Sequence, residues 1–267
     1  MRAALVAEYR KLLSTRMWWV LLVALAAYLA FIGGVMGLSL TVAPQPEDGP
    51  PPLEGAELAA AVYGLTNAIG YVFPLVIGSL AMTTEVRYRT ITQSLLVEPR
   101  RGVLLGAKLL ATVPLGLLYG VVGTAAVVGV AGPVLAAAGD GAFLTDDDVV
   151  QVILLSVVVS ALWAVIGVAF GSVLTNQVAA IVVILAFTQF VEPIARIALG
   201  AFDVTDGVAR FLPGAAADGL IGASFYAAFG GGDSDLLPRW ASLLVLLAYA
   251  GGLALVGRFT TLRRDIG

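Results

Sequence analysis

The stretch from Val149 to Leu174 reads VVQVILLSVVVSALWAVIGVAFGSVL and contains no charged side chain. Crossing the hydrocarbon core of a bilayer takes about 20 mostly apolar residues, because each helical residue rises about 1.5 Å. This stretch is long enough to cross with some tilt, and water would solvate it poorly. We interpret it as a membrane-spanning helix, and the same criterion divides the rest of the chain.

Five other apolar runs satisfy this criterion, three before this stretch and two after it. They run from about Met17 to Leu40, Leu58 to Met82, Gly106 to Ala136, Val178 to Leu199 and Trp240 to Val256. The polar segments between them are tens of residues at most, which leaves no room for a large water-soluble domain. The sequence therefore predicts an all-α membrane protein with six transmembrane helices and a single domain, 1–267.

The composition agrees with this interpretation and excludes several kinds of active site. Of the 267 residues, 60% are hydrophobic and 12% are charged, whereas soluble domains carry about 25% charged residues. A soluble chain of this length has too little interior to bury so much apolar surface. The sequence contains no Cys and no His, which excludes disulfides, thiol nucleophiles and most transition-metal sites, and removes the usual general base.

The distribution of basic residues predicts which side of the membrane each connection faces. With the N-terminus in the cytoplasm, all of the 15 Lys and Arg residues fall on the cytoplasmic side except Arg196, Arg210 and Arg239. Most of the 18 acidic residues fall on the opposite side. Cytoplasmic loops carry the excess of basic residues in membrane proteins. We therefore predict a multi-pass protein of the cell membrane (plasma or inner membrane) with both termini in the cytoplasm.

Residues 1–16, ahead of the first apolar run, have an amphipathic pattern. At 100° per residue, Leu5, Tyr9 and Leu12 share one side of a helix, and Glu8 and Lys11 share the other. This pattern predicts a helix that lies flat at the membrane surface. A plain basic anchor is the alternative, since it needs the charges but not the apolar stripe.

The connection between the second and third apolar runs, 84–105, is longer than a simple link requires. Ile91, Leu95 and Leu96 fall on one face of a predicted short helix that Pro99 ends. Two threonines stand where a side chain can cap its start, Thr90 and Thr92. Such a helix suits contact with another protein, and the alternative is a solvated loop whose arginines bind lipid phosphates.

The segment 201–238, ahead of the last apolar run, is half apolar and is interrupted by Gly230, Gly231 and Gly232. It is too broken for a further span. Short helices that dip back into the outer leaflet are compatible with it, and so is an ordinary surface loop.

Polar side chains near the end of the fifth run are candidates for a transport pathway or an outer gate. Glu192 and Arg196 stand four residues apart, so they face the same side of a helix and can pair. Ionisable groups inside a span are costly and usually functional, and a structural ion pair is the alternative. Thr188 and Gln189 could line the same route, although hydrogen bonding between helices is the commoner use of such residues.

The two cytoplasmic elements together resemble the permease subunits of ABC-2 type ABC exporters. Members of that family open with an interfacial helix of the pattern Glu-x-x-Lys-x-x-x-Ser/Thr, and here Glu8, Lys11 and Thr15 stand in that order. After the second span the family has a Glu, a Thr-rich turn, Leu-Leu-x-x-Pro-x-Arg and a Lys. The matching residues here are Glu85, Thr90, Thr92, Leu95, Leu96, Pro99, Arg101 and Lys108.

The resemblance extends over the whole chain, with one local departure. Many members end on a basic Arg-Arg-Asp, as Arg263, Arg264 and Asp265 do here. Arg89 stands where many relatives have Gly before the Thr. The turn at Arg89 is therefore the part of the pattern that the sequence leaves open.

The resemblance implies a division of labour between two kinds of subunit. Two copies of a soluble ATPase subunit would bind ATP and Mg²⁺, and two permeases, which we expect to form a homodimer, would enclose the pathway within the membrane lipid. The ATPase would contact Glu8, Arg10 and Lys11 of the interfacial helix. The ATPase would also contact the coupling helix and its flanks, at Glu85, Arg87, Arg89, Thr90, Thr92, Leu95, Leu96, Glu98, Pro99 and Arg101.

The chain itself carries no P-loop motif Gly-x-x-x-x-Gly-Lys-Ser/Thr. We therefore predict a transport subunit that is not an enzyme, binds no cofactor of its own and has no nucleic-acid partner. A secondary transporter driven by an ion gradient is the main alternative, although such proteins usually have internal repeats and ionisable groups at mid-membrane. A membrane-embedded enzyme and a scaffold subunit are further alternatives. The sequence does not identify the transported substrate.

Overall fold

The computed structural model describes residues 1–42, 53–138, 141–200, 207–225 and 236–260, so the glycines at 230–232 and the basic end at 263–265 lie outside it. The described residues are almost entirely helical, and no strand occurs among them. The α-helices are α1 (Arg2–Ser14), α2 (Met17–Val42), α3 (Gly55–Tyr63), α4 (Leu65–Ala68), α5 (Val72–Arg87), α6 (Ile91–Val97), α7 (Arg101–Ala138), α8 (Asp147–Val173), α9 (Gln177–Ala186), α10 (Glu192–Gly200), α11 (Pro213–Ile221) and α12 (Arg239–Phe259).

Six helical units in the described residues are long and apolar enough to cross a membrane, which confirms the predicted number. They are Met17–Thr41, Gly55–Arg87, Arg101–Ala138, Asp147–Val173, Gln177–Leu199 and Arg239–Phe259. The units extend a few residues beyond several of the predicted apolar runs. The linker between the second and third units is correspondingly short, 88–100, and lies inside the predicted 84–105 segment.

Hydrogen bonds between units define two ends of the bundle. At one end, Arg87 at the close of the second unit donates to Gln177 at the start of the fifth, over 3.0 Å. At the other end, Arg239 at the start of the last unit donates to Gln151 near the start of the fourth, over 2.6 Å. The first end also holds α1, α6 and most of the described basic residues, and we call it the arginine-rich end.

Helices α5 and α8 form the centre of the bundle. Helix α8 packs against α5, α7 and α12, and α2 packs on α7. A Cβ atom at Gly167 would overlap the carbonyl oxygen of Leu75, and one at Gly78 would overlap that of Ala164, so α5 and α8 meet backbone to backbone. The second and fourth units are mostly buried, and the other four expose apolar side chains outward.

The second unit is broken between α3 and α5, at residues 64–71. A Cβ atom at Gly70 would lie 2.5 Å from the carbonyl oxygen of Thr66, so this close approach requires glycine. The short helix α4 inside the break carries two buried polar side chains, Thr66 and Asn67. The break therefore brings an amide, that of Asn67, into the interior of the bundle.

The fifth unit contains a π-helical turn, Phe187–Val191, between α9 and α10. Pro193 follows two residues later, and a proline inside a helix lacks an amide hydrogen and clashes with the carbonyl four residues before it. A π turn widens the helix at that point and accommodates the missing bond. The residue between the π turn and the proline, Glu192, is buried with 1% of its surface exposed.

The segment between the fifth and last units includes α11, a helix that packs into the bundle. Helix α11 contacts α12, α8 and α4, and most of its residues are buried. It ends at Gly222, whose φ of 80° lies in the left-handed region that favours glycine. A packed helix, rather than a surface loop, therefore describes residues 213–221.

Candidate functional site

The two lysines of the chain meet two buried glutamates at the arginine-rich end. Lys11 Nζ lies 2.6 Å from Glu8 Oε1 and 2.8 Å from Glu85 Oε1. Lys108 Nζ lies 2.5 Å from Glu8 Oε2 and 2.8 Å from Glu85 Oε1. Each lysine therefore contacts both carboxylates, and we call these four residues the lysine–glutamate cluster.

The lysine–glutamate cluster joins four helices. Glu8 and Lys11 come from α1, Glu85 from α5 and Lys108 from α7. Lys11 Nζ also donates to Ser94 Oγ of α6 over 2.9 Å. Two positive and two negative charges give the cluster no net charge, and mutual pairing is the condition under which buried ions are tolerated.

Lys11 is the most exposed member of the cluster. Burial favours its neutral amine, but hydrogen bonds to Glu8 and Glu85 outweigh burial and raise the pKa of Lys11 above its ordinary value. Lys11 is therefore charged throughout the neutral range. Its contribution to stability is fully present below the ordinary lysine pKa of about 10.4 and is lost as the pH rises through the raised value.

Helix α1 turns its charged side toward the bundle. Glu8 is 3% exposed, whereas the apolar residues Val6, Tyr9 and Leu13 are 40–50% exposed. The predicted amphipathic pattern is present, but the charges are neutralised by other helices and not by water. This direction lets Glu8 pair with Lys108, which Glu85 of α5 alone would otherwise neutralise.

The turn after α5 has the geometry that glycine usually provides. Arg89 has a φ of 56°, in the left-handed region. Its amide donates to the carbonyl of Val86 over 3.2 Å, and the amide of Thr90 donates to that of Glu85 over 2.9 Å. These two bonds form a Schellman motif. The turn that the departure at Arg89 left open is therefore formed, with arginine in a conformation that favours glycine.

Helix α6 is fixed on one side and uncovered on the other. Ile91 is fully buried against the ends of α5, α7 and α8, and Ser94 is held by Lys11. Leu96 is 80% exposed. The prediction that Ile91 and Leu96 share a face is wrong, because residues five positions apart on a helix point about 140° apart. The side chain of Leu95 lies outside the described part of the chain.

The other predicted coupling residues surround α6. Thr90 precedes the helix, but no side chain caps it, so the predicted threonine cap is wrong. The Thr90 hydroxyl instead donates to the carbonyl of Glu85 over 3.5 Å. Glu98 pairs with Arg100 over 2.9 Å, and the helix ends at Val97, before Pro99 as predicted. Arg101 is half-buried at the start of α7, and the exposed members are Arg10, Arg87, Arg89, Thr90, Thr92 and Pro99.

A groove of about 730 Å³ is lined by residues of α1, α5 and α6. Glu8, Lys11 and Glu85 stand on its wall, together with apolar side chains such as Ile77 and Leu80. The lysine–glutamate cluster therefore joins α1 to α5 on the wall of this groove.

A second charge cluster lies at the opposite end of the bundle. Glu192 and Arg196 pair over 3.3 Å, as their spacing predicts, and Arg196 also pairs with Asp218 of α11 over 2.7 Å. Thr188 is buried and donates to a carbonyl of its own helix, and Gln189 donates to Thr188 over 3.4 Å. Glu192 and Arg196 are thus the two predicted pathway residues whose charged groups contact α11.

Three residues of these clusters were not predicted as site residues. Lys108 was named only as part of the family pattern and was given no role. That it is one of just two lysines in the chain could have marked it as a site residue. Asp218 and Asn67 gave no signal, because each is a single polar residue in an apolar stretch. Their partners lie more than 20 residues away along the chain, at Arg196 for Asp218 and at Asp218 for Asn67.

No known family model matches this chain, and no curated protein matches its sequence. The geometry of α6 and of the two charge clusters is therefore the basis for assigning a function.

Proposed function

We propose that this chain is the membrane-spanning permease subunit of an ATP-driven ABC-2 type exporter. In this proposal the arginine-rich end faces the cytoplasm, where a separate soluble ATPase binds. Two copies of the chain enclose the translocation pathway, and the six apolar helices lie in the cell membrane. ATP and Mg²⁺ are bound by the ATPase and not by this chain.

The observation that carries the proposal is the packing of α6. One side of this helix is fixed to the bundle, and the other side is exposed. Ile91 and Ser94 fix one side of α6 to the bundle, while Leu96 is the most exposed large hydrophobic residue in the described chain. Leu96 stands among charged residues at the arginine-rich end, where lipid tails would not cover it. An apolar side chain with polar residues around it fits a protein contact, which has an apolar core and a polar rim.

The lysine–glutamate cluster supports the proposal because it links α6 mechanically to α1, α5 and α7. A displacement of α6 would be transmitted to α1 by the hydrogen bond from Lys11 to Ser94. It would be transmitted to α5 and α7 by the ion pairs of Glu85 with Lys11 and Lys108. Pulling one member away would leave a buried charge without its partner, which is strongly unfavourable. Closure of the ATPase dimer would therefore shift α1, α5 and α7 together and open the pathway outward.

The test is recovery of a P-loop ATPase with the tagged full-length chain from membranes of the organism that produces it. We expect the wild type to retain an ATPase whose ATP hydrolysis is measurable, and Leu96→Glu to lose it. Leu144→Glu is the matched control, because Leu144 is also exposed but lies near the start of α8, at the opposite end. No ATPase with the wild type, even after chemical cross-linking, would contradict the proposal. An ATPase retained by Leu96→Glu would contradict the role of α6.

An ion-gradient-driven secondary transporter is the second candidate, and the buried charges of Glu192, Arg196 and Asp218 favour it. The chain alone, reconstituted in vesicles with a trapped pH-sensitive dye, distinguishes the two functions. We expect no proton flux when a pH gradient is imposed. Flux that disappears in Glu192→Gln would favour the secondary transporter.

A further inference from the structure

The buried cluster at the end opposite α6 has an uneven distribution of hydrogen bonds between its two carboxylates. Asp218 accepts three: from Asn67 Nδ2 over 2.8 Å, from Arg196 Nη1 over 2.7 Å and from Ser224 Oγ over 2.9 Å. Glu192 accepts only through Oε1, from the amide of Gly214 and from Arg196 Nη2. Its Oε2 atom is buried and has no hydrogen-bond partner among the described residues.

A second buried acceptor stands beside Glu192. The Oδ1 atom of Asn67 is buried and also lacks a partner among the described residues. Its orientation is fixed, because the Nδ2 atom of the same amide donates to Asp218. Glu192 and Asn67 both line one cavity of about 10 Å³, which is about the space that one water molecule needs. Two buried acceptors therefore line one water-sized cavity, whose lining also includes the guanidinium-bearing Arg196.

The charges of this cluster do not balance if every group is ionised. Two carboxylates and one guanidinium leave one negative charge, and Glu192 and Asp218 are 1% and 2% exposed. Two tyrosines approach from other elements, and both hydroxyls donate to backbone carbonyls: Tyr71 to Thr188, and Tyr249 of α12 to Phe211. Neither tyrosine supplies a positive charge, and an uncompensated buried charge is strongly unfavourable.

We propose that this cluster is a proton-binding site, in which Glu192 is held as the carboxylic acid with its proton on Oε2. One water in the cavity accepts that proton's hydrogen bond and donates to Asn67 Oδ1. A single proton thus removes the excess negative charge, and together with the water it gives both buried acceptors a hydrogen-bond partner. The step is simple protonation: a hydronium ion of the bulk solvent gives up a proton and becomes water, and an O–H bond forms on Glu192 Oε2.

The number of donors decides which carboxylate takes the proton. Hydrogen bonds to a carboxylate favour its charged form, and Asp218 has three donors, including the guanidinium of Arg196. Asp218 therefore stays ionised and forms the ion pair with Arg196. Glu192, with one unused oxygen, is the group that can gain a proton without losing a hydrogen bond.

Proton binding at Glu192 is linked to the packing of α11. Glu192 belongs to α10, Gly214 and Asp218 belong to α11, and Asn67 belongs to α4. Loss of the proton would return a negative charge to Glu192 beside Asp218, which weakens the contact between α10 and α11. By linkage, separation of α11 from α10 releases the proton. This inference does not rest on the proposed ATPase partner.

Infrared spectroscopy of the full-length chain in lipid nanodiscs tests the site directly. At neutral pH we expect a C=O stretching band of a buried carboxylic acid, which shifts in D₂O and disappears in Glu192→Gln. Glu57→Gln is the matched control, because Glu57 is exposed, and it should keep the band. Asp218→Asn should also remove the band, since Glu192 can then ionise against Arg196. A wild type without the band, or a band unchanged in Glu192→Gln, would overturn the proposal.

Thermal stability gives a second readout. The folded chain would hold a proton that the unfolded chain releases at neutral pH, so wild-type stability should fall as the pH rises. Glu192→Gln carries an amide donor in place of the acid, so it should fold and lose most of this dependence. A severe loss of stability in Glu192→Gln at every pH would overturn the proposal. So would stabilisation of the wild type by Na⁺ over K⁺ without the infrared band, which would indicate a metal cation.

Discussion

Lysine occurs in this chain only where it stands between two carboxylates. Thirteen of the 15 basic residues are arginine, and both lysines belong to the lysine–glutamate cluster. A compact ammonium group can contact two carboxylates at once, whereas a planar guanidinium favours paired contact with one. Lys108 is 2% exposed, so its charge depends entirely on Glu8 and Glu85.

Lys108→Met should destabilise the chain by about 3–5 kcal/mol, because it leaves two buried carboxylates with one partly exposed lysine. The double variant Glu8→Gln/Lys108→Met removes one charge of each sign and should recover part of this loss. The measurement is unfolding of the purified full-length chain. Arg100→Met, which breaks an exposed pair with Glu98, is the control and should change stability little, because water screens exposed ion pairs. Equal stability of Lys108→Met and wild type would mean that the cluster is not a structural anchor.

Arg89→Gly should raise stability by about 0.5–1 kcal/mol. Arg89 has a φ of 56°, and glycine adopts this region without the steric cost that a side chain incurs. The control is Arg87→Gly two residues earlier, at the last residue of α5, where the backbone is already helical and glycine should lower stability. Thermal melting of the three proteins in one detergent measures both effects. A lower melting temperature for Arg89→Gly than for wild type would show that the arginine side chain outweighs its backbone strain.

The helices of this protein meet mainly through small residues. Gly78, Gly167 and Gly171 lie at the α5–α8 contact, and Gly116 and Gly120 lie at the α7–α8 contact. Inside a bilayer the lipid tails are as apolar as leucine, so close packing, and not exclusion of water, drives helices together. Small residues at these positions therefore decide which helices become neighbours.

Gly167→Val should destabilise or misassemble the bundle, with a cost of at least about 3 kcal/mol, because its side chain would overlap the backbone of α5. Gly251→Val is the matched control, since nothing lies within 4 Å of the added Cβ atom at that position of α12. Yield of monodisperse protein and its melting temperature measure the effect. Tolerance of Gly167→Val would contradict the backbone contact between α5 and α8.

Across the whole molecule, the basic residues gather at one end of the bundle. The described part of the arginine-rich end includes Arg2, Arg10, Arg16, Arg87 and Arg101, and the opposite end keeps Arg196, Arg210 and Arg239. Retention of basic loops in the cytoplasm would orient the chain with α1 and α6 inside. This orientation is what an ATPase bound at α6 requires.

Cysteine labelling can test the orientation without background, because the chain contains no Cys. Thr92→Cys and Thr145→Cys place matched, exposed residues at the two ends. In intact cells, a membrane-impermeant maleimide should label Thr145→Cys and not Thr92→Cys, and inside-out vesicles should show the reverse. Labelling of Thr92→Cys from outside would contradict both the orientation and the proposed docking of an ATPase at α6.

The six apolar helices and most of their limits could be predicted from the sequence. Length and hydropathy are local properties, and the thickness of the bilayer sets how many apolar residues a spanning helix needs. The helix before Pro99 was also within reach, since it depends on a few neighbouring residues, whereas the departure at Arg89 left the turn before this helix open. The face of α6 was mistaken, because three apolar residues in a seven-residue helix do not define one face. Which of them is buried depends on Met82, Leu105 and Val168, which come from three other helices.

The sequence by itself determined that this chain is a bundle of six apolar helices with most of its basic residues at one end. Only the tertiary structure decided which polar groups of different helices meet. Glu8 and Lys108 are 100 residues apart, and Asn67 and Asp218 are 151 residues apart. The physical reason is that pairing inside an apolar bundle depends on which helices pack together, and that packing is set by small residues and backbone breaks distributed over the whole chain.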